Sequence, residues 1–454
     1  LESLRPRPDL LLPIRTRQLS SRRGLVPIIA AANVHRTLQW DCGAQGIGRM
    51  NEWLQWHLDA RTGPKRILAL DGGGVRGLIT LGILKRIEDT LKVRLPNPEA
   101  FRLAHYFDLI AGTSTGSIIA TALALGWTVD EIKKLYDEIC PLAFKVRARG
   151  LFKPVYDHDT IEKKLKEVLG AEQLQSSKLL TGLMICAKRI DTGSPWVLTN
   201  NPASKFWDSD DKSHKPNKEF ELWMLVRASA AAPLYFEPVE VTITEKGEVY
   251  SEQKGLFIDG GVGGFNNPSL QALKVATLPS YGFNWKTGRD NLYIVSVGTG
   301  WWRARNDVKH LNSLWNWQKA TEALAAMIQD TVLHNITAMQ AISTPRKPWY
   351  INSELGNMRG ERVVQEEVLS YQRYDAMLEQ DNICRVCNIA DPSSSKARSL
   401  VKSLRQIGNT EPSNLKSLHA LGYAVGRVTT PSIDGIEPED FPTVFNPPFM
   451  QGTA

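Results

Sequence analysis

Cysteine is scarce in this chain, with only Cys42, Cys140, Cys186, Cys384 and Cys387 among 454 residues. So few, so scattered, they build no disulfide framework and fit free thiols in a reducing, cytoplasmic setting. Cys384 and Cys387 make a lone CxxC without a second pair at zinc spacing. No metal is expected there, and the two read as helix-packing residues. Long apolar runs are also missing. The only long uncharged stretch, Leu109 to Val129, is rich in Gly, Ser and Thr, which suits a buried strand and helix better than a membrane span. Excess charge is absent from most of the chain. The first 66 residues hold eleven Lys/Arg against five Asp/Glu, so six of the seven net positive charges stand there. A nearly neutral body argues against a nucleic-acid substrate. Of the eight histidines, His57, His105, His158, His214, His310, His334 and His419 are scattered with none in a recognisable motif, and no internal repeat is visible.

What is present is an alternation of strand and helix. Apolar runs predict strands at 66–71, 105–111, 182–188, 195–198, 239–243, 256–259 and 292–297. Helical spacing predicts helices at 75–92, 115–126, 129–139, 221–231, 269–278 and 311–342. With glycine turns at strand ends, this is an α/β fold: a mainly parallel central sheet covered by helices on both faces, in three α/β/α layers, with helical C-terminal additions. Residues 1–62 read as a basic, proline-rich extension, 63–345 as the catalytic domain, and 346–454 as a mainly helical region with an extended tail. The arm carries Arg22-Arg23 before a short apolar run ending in alanines. Flexible extension and targeting segment are both open readings of it.

Two glycine-bracketed turns carry the chemistry. The strand Tyr106 to Ala111 runs into Gly112-Thr113-Ser114-Thr115-Gly116. Flanking glycines permit the sharp turn that lifts a serine hydroxyl clear of the backbone, and a helix opening behind it favours anionic states. The strand Arg66 to Leu70 runs into Asp71-Gly72-Gly73-Gly74-Val75-Arg76-Gly77. Backbone amides of Gly72, Gly73, Gly74, Val75 and Arg76 are candidate donors to an oxyanion. This turn also satisfies GxGxxG, but a dinucleotide site needs a second strand ending in an acidic residue about 20 residues on. Leu91 to Arg102 is polar and proline-broken instead. For the base, Leu256-Phe257-Ile258-Asp259-Gly260-Gly261 ends a strand in a carboxylate braced by two glycines. A shielded Asp259 could take the Ser114 proton directly; Asp71 and Asp108 read as structural.

In this order the three segments resemble the patatin-like phospholipase family, as do Arg227-Ala228-Ser229-Ala230-Ala231-Ala232-Pro233 and Val297-Gly298-Thr299-Gly300. The resemblance is strong over about 65–300 and loose beyond. It implies a serine–aspartate dyad of Ser114 and Asp259 working without cofactor, metal or histidine, with the Gly72–Gly74 loop holding the oxyanion and Arg76 bracing that loop. Its implied substrates are membrane phospholipids or other acyl lipids, reached by peripheral membrane contact. A Ser-His-Asp esterase, an acyltransferase, and a catalytically silent lipid-binding or nucleotide-regulated effector stay open at this level.

Overall fold

The structure, a computed structural model, describes residues 51–144, 158–209, 213–233, 235–244, 252–303, 312–425 and 435–450. Residues 1–50 of the basic arm, His310, residues 145–157 and the two ends of the 431–454 tail lie outside the described residues.

Eight strands form one sheet: β1 (Lys65–Leu70), β2 (Leu109–Thr113), β3 (Gly182–Arg189), β4 (Pro195–Thr199), β5 (Val239–Thr244), β6 (Gln253–Asp259), β7 (Leu292–Val297) and β8 (Ser370–Tyr374). Their order is β5-β6-β3-β2-β1-β7-β8, with β4 paired to β3. β3, β2, β1, β7 and β8 are mutually parallel, while β4 and β6 run antiparallel to β3 and β5 antiparallel to β6. This is the mainly parallel sheet expected.

Helices cover both faces. Every residue of β1 and β2 is buried, as a strand sandwiched between helical layers requires. Leu68, Leu70 and Ile110 point into a core shared with helices Gly77–Lys92, Thr115–Ala124 and Val129–Ala143. Ile67, Leu109 and Ala111 point the other way, toward helix Ser269–Thr277 and Met339 of the long helix Asn316–Ala341.

Three local expectations need correction. The segment before β2 is a short helix, Leu103–Tyr106, and the strand starts only at Leu109. Asp108 sets that start, because its buried carboxylate accepts from the Arg66 amide at 2.7 Å and from the Arg66 guanidinium. A helix at His158–Leu169 was not anticipated. Nor was β8, which lies inside the span read as mainly helical and extends the sheet beside β7. Helix Pro412–Ala424 packs on Gly77–Lys92 so closely that a side chain at Gly422 would meet the Ile79 carbonyl. No helix among the described residues is long and apolar enough to cross a membrane.

Candidate active site

Sheet register brings the two proposed catalytic side chains together. Thr113 of β2 pairs with Cys186 of β3, and the next residue of β3, Ala187, pairs with Asp259 at the end of β6. Ser114 and Asp259 therefore stand at one level across β3. β6 reaches that level by running against β3, so the carboxylate arrives from the opposite direction to the serine.

Ser114 has φ 54° and ψ −128°, outside the favourable regions for a side-chain-bearing residue, a cost of order 1–3 kcal/mol that the surroundings must hold in place. Several bonds hold it. Its amide donates to Ser229 Oγ at 2.9 Å, and the Ser229 hydroxyl donates to the Cys186 carbonyl at 2.6 Å. Its carbonyl accepts from the Ser117 hydroxyl at 2.6 Å and the Ser117 amide at 2.9 Å. The elbow glycines are needed for contact: a side chain at Gly112 would meet the Gly116 carbonyl, and one at Gly116 the Leu70 carbonyl.

Asp259 is buried, accepts from the Gly261 amide at 2.7 Å and lies beside the Ser114 side chain. Burial pushes its carboxyl up to about 6, against the opposing pull of the Ser114 hydroxyl and the Gly261 amide. The Asp259 amide donates to the Ala231 carbonyl at 3.0 Å. Segment 229–231 thus positions both partners, Ser114 through a hydroxyl and Asp259 through a carbonyl. A side chain at Gly260 would strike the Cys186 carbonyl, and one at Gly261 would stand 3.1 Å from Asp259 Oδ1.

The glycine loop lies directly against the serine, since a Cβ on Gly72 would come 2.9 Å from Ser114 Cβ. Its amides are not equally free. Gly72 donates to the Asn266 carbonyl (3.1 Å), Val75 to the Ile407 carbonyl (2.9 Å) and Arg76 to the Gly73 carbonyl (3.2 Å). Gly72, Val75 and Arg76 are therefore spent on the loop's own geometry, which corrects their place among the candidate oxyanion donors. Gly73 donates at 3.1 Å to the Thr115 hydroxyl, a rotatable acceptor that a substrate oxygen can replace. Gly74, at φ +61°, has an amide with no acceptor among the described residues. The Thr115 amide, first in its helix and next to Ser114, is likewise open among the described residues.

Sequence reasoning missed what anchors this loop. Asp71 receives two bonds from the Arg373 guanidinium of β8, at 2.9 and 2.7 Å. Arg373 also donates to Ser296 (2.8 Å) and Asp375 (2.7 Å), and Asp375 accepts from the Gly300 amide (2.6 Å). The Thr299 hydroxyl donates to the Gly72 carbonyl at 2.9 Å.

Ser114, Asp259 and the loop open on a cavity of about 550 Å³. Apolar side chains such as Ile118, Ile139, Phe144, Ile161, Leu324 and Ile328 line much of it, with Arg76 and Arg405 also on its wall. No described histidine lines it. The one buried His–Asp pair among the described residues, His57 Nδ1 with Asp108 at 2.8 Å, precedes β2 while Ser114 follows it, about 20 Å away along a strand. No cluster of His, Cys, Asp and Glu suited to a metal occurs among the described residues. Trp301 and Trp302 pack against the core, whereas Trp315 is largely exposed.

Residues 68–273 match the sequence profile of the family described as patatin-like phospholipase. They form a patatin-like phospholipase domain. Among its relatives are patatin group J-1 and patatin-12 of Solanum tuberosum, each 30% identical over 247 residues, which is 52% of this chain and 60% of the relative. The chain thus matches less than two thirds of their length. Among solved structures, VipD from Legionella pneumophila aligns with 12% identity and a TM-score of 0.31, over 79% of this chain and 67% of that one. The patatin-like match ends before β7, yet Thr299, Arg373 and Ile407, all beyond it, hold the glycine loop.

Proposed function

We propose that this chain is a lipid acyl hydrolase of phospholipase A or lysophospholipase type, acting through Ser114 and Asp259 at a membrane surface. The observation that supports this most strongly is the pairing of a strained, exactingly held serine with a buried carboxylate at the head of an apolar cavity. Ser114 Oγ attacks the ester carbonyl carbon as its proton passes to Asp259. The carbonyl oxygen becomes an oxyanion facing the Gly73 and Gly74 amides and the Thr115 amide at the helix terminus. Collapse of this intermediate breaks the ester C–O bond, and the proton on Asp259 goes to the departing lysolipid oxygen. Asp259, again ionised, takes a proton from water as the water oxygen attacks the acyl-enzyme. Fatty acid leaves, and the proton returns to Ser114 Oγ. The apolar wall suits an acyl chain, and the elevated carboxyl of Asp259 is basic enough to serve without imidazole.

The test is mass spectrometry of mixed phospholipid vesicles incubated with the purified protein, alongside Ser114→Ala and Asp259→Asn. Free fatty acid and lysolipid from the wild type alone are expected. Equal release from either variant, or none from the wild type on any acyl lipid, would overturn the proposal.

A further inference from the structure

One wall of the cavity carries charge that the hydrolytic chemistry does not use. Arg76 leaves the glycine loop with its guanidinium carbon 5.1 Å from the centre of the Trp302 ring, and Arg405 lies 5.3 Å from the same centre. Both arginines and Trp302 line the cavity that holds Ser114. Arg405 ends helix Ser395–Arg405, outside the patatin-like match.

Among the described residues neither guanidinium is neutralised by a bonded carboxylate. Arg76 Nη1 is fully buried with no hydrogen-bond partner among the described residues, and Arg76 Nε reaches only the Gly73 carbonyl at a loose 3.4 Å. Asp375 is the carboxylate whose charge Arg76 feels, but its oxygens are committed to Arg373 and to the Gly300 and Ala376 amides. Arg405 donates Nε and Nη2 to the Leu378 carbonyl at 3.0 and 2.7 Å, which fixes its plane, and the carboxylate it feels is Glu379. Two guanidiniums on one aromatic ring repel each other, and a buried N–H without an acceptor costs about 1–3 kcal/mol. A guanidinium over a ring keeps N–H groups at its rim, and those of Arg405 not turned to the Leu378 carbonyl suit phosphate oxygens. An anion on this wall would offset the charge of both guanidiniums and relieve their repulsion.

We infer that Arg76 and Arg405, both set over the Trp302 ring, form a subsite for the phosphate of the acyl lipid, making phosphorylated glycerolipids preferred over neutral acylglycerols. This rests on the reading of Ser114 as the acyl-transfer serine. In a glycerophospholipid the phosphate lies a few bonds from the ester carbonyl, and Arg76 lies two residues beyond Gly74, the loop amide that is open. Arg405, from the C-terminal helices, would then set headgroup preference on a domain whose catalytic residues lie elsewhere.

The test measures binding, so it does not depend on turnover. The full chain carrying Ser114→Ala is titrated calorimetrically with octanoyl lysophosphatidic acid and with monooctanoylglycerol, then again with Arg405→Met added. The phosphorylated lipid should bind about 10- to 100-fold tighter, the value of one charge-assisted hydrogen bond, and Arg405→Met should erase most of that ratio. Arg405→Lys, a point charge without the planar edge, should retain part of it. Equal affinities for the two lipids in the Ser114→Ala protein would overturn the subsite however the Arg405 variants fold. A phosphate preference in a protein whose wild type releases fatty acid from no acyl lipid would uphold the subsite and overturn the hydrolase reading.

Discussion

Replacing Asp259 with asparagine should make this protein more stable while abolishing its reaction, and the stability gain should depend on pH. The carboxyl titrates near 3.8 in an unfolded chain and near 6 in the folded protein, because burial disfavours its charge. Between those values the native state holds a proton that the unfolded chain has released, so stability falls as pH rises through this window. Above about pH 6 the cost is complete, and a displacement of this size is worth about 3 kcal/mol. Asparagine keeps the acceptor for the Gly261 amide but carries no charge to desolvate. Urea unfolding followed by tryptophan fluorescence should therefore show Asp259→Asn gaining on the wild type, the gap widening by about 2 kcal/mol from pH 4.5 to pH 8. The wild-type kcat/KM should climb through the same window, since the base must be ionised to accept the serine proton. A gap that stays flat with pH, or that narrows, would refute the claim that a desolvated carboxylate is kept at this site at the expense of stability.

Other substitutions probe the supports. Ser229→Ala removes the link between the Ser114 amide and the Cys186 carbonyl; it should cost about 1–3 kcal/mol in urea unfolding and lower kcat about 100-fold through misplacement of the nucleophile. Gly74→Ala places a side chain at φ +61° against the Ile407 carbonyl, and displacement of the open amide should reduce kcat about 100- to 1,000-fold with KM little changed. Arg373→Ala leaves Asp71 and Asp375 buried without their shared cation, so a loss of about 3–5 kcal/mol is expected in the same unfolding assay.

Much of the sheet could be read from the chain because its central strands, such as Arg66–Leu70 and Leu292–Val297, are apolar runs closed by glycine turns. The candidates Ser114 and Asp259 stood out for the same reason: each is a polar residue closing such a run. β8 was hidden because Ser370-Tyr371-Gln372-Arg373-Tyr374 looks polar, and the arginine that disguises the strand is the one that anchors Asp71. Ser229 lay inside a motif that could be quoted, but nothing in its local sequence says that its hydroxyl meets the Ser114 amide. The Ile407 carbonyl left no trace at all, since a backbone acceptor has no residue signature and lies far along the chain from Val75. That hidden bond is also why Val75 read as an oxyanion donor. Which loop amides are free depends on tertiary partners, not on the glycine pattern.

The most direct test of Ser114 as the nucleophile is covalent labelling with a fluorophosphonate ester, followed by peptide mass spectrometry to locate the adduct. A single adduct on Ser114 is expected, absent in Ser114→Ala and formed far more slowly in Asp259→Asn, with the wild-type labelling rate rising as pH passes about 6. An adduct on another serine, or labelling of Ser114 at an unchanged rate without the Asp259 carboxylate, would contradict the dyad.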